Sequence, residues 1–362
     1  MTQPLVSILV NTYNHERYIA QALQSVFEQD FPAEQMEIIV VDDGSTDATS
    51  QAIQPFLSRI RYIRKENGGQ VSAFGVAVAE ARGDIIVFLD GDDYWARNKL
   101  ASVAAVFERN PAIACVGHAY HEIDENGRII GTMIPTGDRL SLENPRIAQV
   151  SSSLRVFLGT SRFAIRRAVL EKTLPVPDDL PFFDNFIFSQ AIAFSGAILL
   201  CEPLCYYRLH SQNLYASSPA SRANGDRLLW TQYKLLSSLL QHLPLRLSRL
   251  GVSDEIIAAF LDFDRLQLRQ LRLILEGGKR SETFQLERES FHLDYRNPDL
   301  GYRLFKYFVL SLTILLPPRT FYRLRSWYGK HNLSSLRRYI GGAVDTVPLV
   351  ERKTAELSGK PQ

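Results

Sequence analysis

Four short apolar runs lie between residues 5 and 90, and helix-patterned segments separate them. Leu5–Val10 reads as a buried strand, after which Ile19, Ala22, Leu23, Val26 and Phe27 share one helical face. Glu37–Val41 is a second strand, followed by a helix that Thr46 or Asp47 can cap. Arg61–Ile63 is a short third strand, Gln70–Ala81 is helical, and Asp84–Leu89 is the fourth and most apolar strand. Strands that alternate with helices in this way predict a parallel sheet covered on both faces.

After residue 110 the pattern changes. Ile113–His121 and Arg128–Met133 are strand-like, and Asp124-Glu125-Asn126-Gly127 between them is a hairpin signal. Phe163–Ile165 reads as a strand and Arg166–Lys172 as a helix. Pro175 and Pro177 break the chain before a helix over 183–195, and Leu204–Arg208 is the last strand. Residues 1–215 therefore read as one mixed α/β domain. Ser217–Gly225 is the expected linker, and 216–362 is a helical, Leu-rich region. There Leu228, Leu229, Trp230, Tyr233, Leu236, Leu239 and Leu240 form one stripe, and Ser253 can cap a helix that ends at Gly277-Gly278.

A chain of 362 residues that is 46% hydrophobic and 22% charged is not a disordered polymer. Its net charge of +2 excludes a wholesale nucleic-acid binder. That balance hides an asymmetry: 15 acidic against 9 basic residues in 1–110, and 11 basic against 3 acidic in 301–362. Two different partners are expected for an acidic front and a basic tail. Cys115, Cys201 and Cys205 cannot make a disulfide framework and read as small buried residues in a reducing compartment. The N-terminus lacks a basic segment before its apolar run, and no stretch reaches the roughly 18 apolar residues of a membrane span. A cytoplasmic location is expected.

The loops after the strands carry the chemistry. Asp90-Gly91-Asp92-Asp93 crowds three carboxylates at the end of a buried strand. This is either a solvated acidic turn or a site for a hard divalent cation, which takes oxygen ligands. Asp42-Asp43-Gly44-Ser45-Thr46-Asp47 offers carboxylates to a base or ribose, and equally makes an Asx-turn with a helix cap. Asn11-Thr12-Tyr13-Asn14-His15 precedes a helix N-terminus, whose free N–H groups suit a phosphate. Lys65-Glu66-Asn67-Gly68-Gly69-Gln70 is a tight turn or a loop that lets backbone approach a ligand. All four loops follow strands of the same sheet and so share the edge where open α/β sheets bind ligands.

In order and spacing these segments resemble glycosyltransferase family 2. The match rests on Val6–Asn14, Ile39–Asp47, Glu66–Gly69 and Val87–Asp93, and it covers about residues 4–215. The resemblance implies a GT-A fold: a Rossmann-like, mixed nucleotide-binding sheet. It also implies an inverting transferase that uses a nucleotide diphosphate sugar, with a UDP-sugar favoured. Thr12, Tyr13, Asn14, Asp42, Asp43, Asn67, Gly68, Asp90 and Gly91 would line the donor site. Asp43 is the favoured base contact. Asp90 and Asp92 would be the Asp-x-Asp pair that holds Mg²⁺ or Mn²⁺. Tyr207-Arg208-Leu209-His210-Ser211-Gln212-Asn213 resembles the family's Tyr-Arg-x-His-x-x-Asn run, which makes His210 a further metal ligand or a contact to the diphosphate, against the plainer reading of a polar strand end. Asp184 would be the catalytic base, although Phe183 stands where the family often has an acid, and a helix cap also suits Asp184.

Two other classes are weighed against transfer. One is a nucleotide-sugar-binding protein without activity, and the other is a nucleotidyltransferase, for which a basic Gly-rich N-terminal loop is missing. The implied acceptor is a hydroxyl of a glycan or lipid-linked molecule, in cell-surface polysaccharide or glycolipid synthesis. Apolar Tyr307–Leu316, flanked by Arg, Lys and aromatics over 303–330, fits either a core helix or peripheral contact with the inner face of a membrane. His118 and His121 read as ordinary strand residues.

Overall fold

The computed structural model describes residues 5–210, 213, 225–293, 300–322 and 324. The expected linker over 217–224 and the tail residues Arg323, Arg325, Trp327, Tyr328 and Lys330 lie outside them. The chain opens with β1 (Val6–Thr12), α1 (Ile19–Phe27), β2 (Met36–Asp42), α2 (Thr49–Ile53), β3 (Arg61–Arg64), α3 (Gln70–Glu80) and β4 (Ile85–Asp90). Next come β5 (Tyr94–Trp95), α4 (Lys99–Arg109), β6 (Cys115–Ile123), β7 (Ile129–Met133), β8 (Arg139–Leu140) and α5 (Pro145–Leu154). β9 (Phe163–Arg166), α6 (Arg167–Thr173), α7 (Asp184–Ser195) and β10 (Ala197–Arg208) complete the sheet region.

One ten-stranded sheet runs in the order β3-β2-β1-β4-β9-β6-β10-β5, with β7 on β6 and β8 on β10. β3, β2, β1 and β4 are parallel, which the helices between them allow by carrying the chain back to the start of the next strand. β9 then reverses direction against both β4 and β6, which makes the sheet mixed. Every residue of β1 is buried, which explains its uninterrupted apolar run. α1 buries Ile19, Ala22, Leu23 and Val26, the face its periodicity marks out. The 124–127 hairpin forms, and β6 and β7 pair antiparallel. The sequence reading does not anticipate the short β5 and β8 or the helices α4 and α5.

The register places the functional edge. Thr12 lies beside Asp42, and Asn11 beside Asp90, so the acidic loops of β2 and β4 flank the loop of β1. Beneath them an aromatic stack joins the two halves of the sheet. Phe74 of α3 stacks on Phe183 at 3.9 Å, and Phe88 of β4 on Phe163 of β9 at 4.8 Å. Phe183 is fully buried in this stack. A carboxylate there would have to be desolvated, which is a physical reason for Phe at a position the family often fills with an acid.

The chain divides into two compact units, Met1–Asp262 and Phe263–Gln362. Helix α8 (Gly225–Arg249) belongs to the first, and it buries Leu235, Leu236, Leu239, Leu243 and Leu247. The buried stripe is thus shifted toward the helix C-terminus relative to the expected one, and Trp230 is 43% exposed. α9 (Asp254–Leu275) crosses the boundary. In the second unit, α10 (Arg280–Leu293) and α11 (Leu300–Leu315) pack around Leu266, Leu273, Leu286, Phe321 and Tyr322. No helix among the described residues is long and apolar enough to cross a membrane. Cys115 and Cys205 are buried, whereas Cys201 is exposed, contrary to expectation. His118 is buried on β6, and His121 pairs through Nδ1 with Thr132 Oγ1 at 2.8 Å.

A fully buried lysine opens α4. Lys99 donates from Nζ to the Ser161 carbonyl at 2.7 Å and lies 4.0 Å from the Trp95 ring. Burial pulls its ammonium down to about 7. In the unfolded chain a lysine titrates near 10.4, so above pH ~7 the unfolded state binds more protons and stability rises with pH. Above pH ~8.5 the raised Cys115 and Cys205 thiols act in the opposite sense, which limits the window. In urea melts at pH 7 and 8.5 the lysine should contribute a gain of up to about 2 kcal/mol in the wild type, offset in part by Asp90 and Asp93, whose raised carboxyls act in the opposite sense near pH 7. That gain should largely vanish in Lys99→Met; equal slopes for both proteins would contradict it.

Candidate functional site

The loops at the carboxyl edge are stitched to one another. Asn14 takes the left-handed conformation (φ 56°), donates its N–H to Ser45 Oγ at 2.9 Å, and accepts from the Thr46 N–H at 2.8 Å. The His15 N–H reaches Thr49 Oγ1 at 2.8 Å. Asp47 accepts from the Thr49 N–H at 2.9 Å and from the Glu16 N–H at 3.1 Å. Asp47 thus makes the expected Asx-turn, with added bonds across to the β1 loop, but the N-cap of α2 is Ala48, which has no side-chain cap bond, so neither Thr46 nor Asp47 caps the helix. Tyr13 stands 43% exposed at the rim.

The two carboxylates that end β2 are already engaged. Asp42 is fully buried and accepts from the Ser45 N–H at 2.8 Å, the Tyr62 hydroxyl at 2.8 Å and Ser50 Oγ at 3.2 Å. Asp43 accepts from Lys65 Nζ at 2.7 Å, the Gly68 N–H at 3.0 Å and the Gly69 N–H at 2.7 Å. The glycine loop therefore closes over Asp43. Gly44 makes this possible: its φ is +80°, and a Cβ there would lie 2.9 Å from the Asn67 nitrogen.

At the end of β4 the carboxylates are crowded, with Asp93 buried and Asp90 and Asp92 half-buried. Asp90 accepts from Gln70 Nε2 at 3.2 Å, and its N–H donates to Ser161 Oγ at 2.9 Å. Burial, then Asp92, Asp93 and Asp184, push its carboxyl well above the ordinary range. Burial also pushes Asp92 up, but His15 and His210 outweigh it and hold that carboxyl low. His210 Nε2 lies 2.9 Å and His15 Nε2 3.8 Å from Asp92 Oδ2. Asp93, buried and beside Asp92, is raised to about 7. Gly91 passes between Thr12 and His15, where a Cβ would come within 2.7 Å of Thr12 Oγ1 and 2.8 Å of His15 Nδ1.

Asp184 sits in the first turn of α7. Its Oδ1 accepts from the Asn185 N–H at 2.6 Å, and its Oδ2 has a long contact with Thr160 Oγ1 at 3.4 Å. Burial raises its carboxyl, tempered by the Asn185 N–H and by Arg162. Asp90, Asp92, His210 and Asp184 thus converge on one edge. Among the described residues no three His, Cys, Asp or Glu side chains stand ready as a metal-ligand set.

Of the residues that shape this edge, the Gly159–Arg162 turn carries no signal in the sequence, and Arg208 is marked only by the run that contains His210. The turn Gly159–Arg162 reaches two of the acidic residues: Thr160 meets the Asp184 carboxylate, Ser161 Oγ accepts the Asp90 N–H, and Arg162 stacks on Tyr120 (4.4 Å) and Tyr207 (4.9 Å). Arg208 ties down the acidic loop, with its N–H on Asp93 Oδ1 at 2.8 Å and Nε on the Asp92 carbonyl at 2.9 Å. Gln70 and His15 lie inside the polar loops, but nothing local distinguishes them. The Gly159–Arg162 turn has no periodicity to reveal it.

A model of glycosyl transferase family 2 matches residues 7–174, which contain the parallel half of the sheet and its loops. An uncharacterized glycosyltransferase of Nostoc sp. is 33% identical over 227 residues, covering 61% of this chain and 70% of that protein. The poly(ribitol-phosphate) beta-N-acetylglucosaminyltransferase TarS of Staphylococcus aureus is 35% identical over 213 residues, or 56% of this chain; the match spans 35% of TarS. Crystal structures of TarS residues 1–349 share the fold. The complex with UDP gives a TM-score of 0.53 at 24% identity over 78% of each chain. The complex with UDP-GlcNAc gives 0.51 at 21% identity, over 80% of this chain and 81% of that one. Identity at this level along most of the Nostoc protein, together with the family model's hold on the acidic loops, makes this chain a glycosyltransferase of family 2.

Proposed function

We propose that the protein is an inverting, metal-dependent transferase. It moves a sugar from a UDP-sugar to a hydroxyl of a glycan or lipid-linked acceptor in cell-surface polysaccharide or glycolipid synthesis. The observation that carries this reading is the meeting of Asp90, Asp92, His210 and Asp184 at the same sheet edge as the Asp43 cradle. The likeness to TarS, which was crystallised with UDP and with UDP-GlcNAc, supports the choice of donor base.

Thr12, Tyr13, Asn14, Asp42, Asp43, Asn67, Gly68 and Gly91 form the nucleotide-sugar site, and residues 1–215 hold all of the chemistry. Asp90 and Asp92, with His210, would hold Mg²⁺ or Mn²⁺ by the nature of their donors, carboxylate oxygens and one imidazole, beside the raised carboxyls of Asp90 and Asp93. Here, however, the three are not gathered as a ligand set, and His210 Nε2 bonds Asp92 Oδ2 at 2.9 Å. Such a cation supplies Lewis-acid stabilisation of the diphosphate leaving group. Asp184 takes the proton of the acceptor hydroxyl, and its raised affinity for protons suits a general base. One base opposite the leaving group gives attack from the far face and inversion at the anomeric carbon. The helical 216–362 region places the enzyme at the inner face of the cell membrane, in contact through 303–330. No nucleic acid is involved.

Thermal-shift titration with UDP and Mn²⁺ tests the donor site. A folded-state ligand at about 100 times its Kd stabilises the protein by about 2.7 kcal/mol. Asp92→Asn should lose the Mn²⁺-dependent part of that shift and transfer activity together, with its own melting temperature little changed. Turnover like the wild type in Asp92→Asn contradicts the metal assignment. For Asp184→Asn, kcat is expected to fall by roughly 10²–10⁴-fold with donor affinity held within about twofold. A parallel loss of UDP binding would move Asp184 from catalysis to donor binding.

A further inference from the structure

Helix α11 is apolar on two opposite faces. On one, Leu310 and Thr313 are buried, and Val309, Leu312 and Leu316 pack toward the cluster built on Leu266, Leu273 and Leu286. On the other, Tyr307, Phe308, Ile314 and Leu315 are 55%, 58%, 58% and 66% exposed. At about 100° per residue these four and Ser311 fall within roughly 120° of the helix circumference. Ser311 turns its hydroxyl onto the Phe308 carbonyl at 2.7 Å, so the middle of the stripe does not present a free hydroxyl donor. A helix that is apolar all round is ordinarily covered on all sides.

The charge of the sequence on either side of this stripe identifies the cover. Residues 300–344 contain eight Lys and Arg and no Asp or Glu. A second copy would bring the same cations against each other. An anionic lipid surface complements both features at once, since its phosphates meet the cations and its acyl boundary takes Phe, Leu and Ile. At 16 residues, α11 is too short to cross a bilayer, so it would lie in the plane of the surface.

We propose that the Tyr307–Phe308–Ile314–Leu315 face of α11 inserts into the interface of an anionic bilayer. This deepens the membrane contact of the proposed function and rests on it, but it is independent of the donor chemistry. The test is flotation of the full chain with vesicles of phosphatidylglycerol and phosphatidylcholine, or of phosphatidylcholine alone. The protein should float with the anionic vesicles at low salt and less so at high salt. The triple variant Phe308→Ser, Ile314→Ser, Leu315→Ser should reduce the vesicle-bound fraction about tenfold or more, with melting temperature and UDP binding unchanged. Phe308→Trp gives a reading that does not depend on the triple variant folding: the emission it adds to that of the wild type should be quenched by brominated acyl chains. The proposal is overturned if the wild type stays at the bottom of the gradient with anionic vesicles, or if the triple variant floats equally well. It is also overturned if the added emission of the Phe308→Trp variant is unquenched, or if light scattering shows a non-floating dimer that the triple variant dissociates. Loss of UDP binding with flotation intact would refute the donor assignment and leave this proposal standing.

Discussion

Carboxylates packed at the buried end of a parallel sheet repel one another, and much of the surrounding structure is arranged around that repulsion. Asp90, Asp92 and Asp93 occupy four consecutive positions with Gly91, and Asp184 adds its charge from α7. Isolated ionised groups do not persist in such a place without partners. The fold supplies them from far along the chain: His15 from the β1 loop, His210 after β10, and Arg162 from the turn before β9. Arg208 adds backbone and side-chain donors that hold the Asp92-Asp93 turn in shape. Lys99 anchors the Ser161 carbonyl from below.

The parallel half of the fold is legible because its signals are local. A strand buried on both faces must be apolar along its whole length, and the loop after it is the first place where polar residues can sit. The four loops can therefore be read one by one, and a shared direction places them on one edge. The mixed half is less legible. β5 and β8 have two residues each, too few to show a period. β9 is held by neighbours on both sides, β4 and β6, that its own four residues do not specify.

The same distinction runs through the site. Asp43 and the glycine loop are separated by about 25 residues yet belong to adjacent strand ends, so their meeting follows from topology. The partners that tune Asp90 and Asp92 do not follow in that way. Ser161 is 71 residues from Asp90, and His210 is 118 from Asp92. These contacts depend on how β9 and β10 dock, which no short-range pattern encodes. Phe183 shows the reverse case. Resemblance marks it as a departure at an acidic position, and only packing against Phe74 and Phe88 explains why an aromatic ring stands there.

On the proposed reading, a doubly charged diphosphate must approach an edge that carries Asp42, Asp43, Asp90, Asp92, Asp93 and Asp184. The geometry divides those acids into two groups. Asp42 and Asp43 are satisfied within the protein, by Tyr62, Ser50 and backbone N–H in one case and by Lys65 and two glycine N–H groups in the other. That end can meet a neutral nucleoside without further compensation. At the β4 end the histidines offset Asp92, but Asp90 and Asp93 are left with carboxyls driven upward by burial and by neighbouring acids. A diphosphate placed there unaccompanied would raise the local negative charge further, and a divalent cation arriving with it would lower the repulsion on both sides. The electrostatics thus make nucleoside recognition and cation dependence separable along the sheet edge. Gly91 keeps the two ends in register, because any Cβ at that position would press on Thr12 from one group and on His15, the partner of Asp92, from the other.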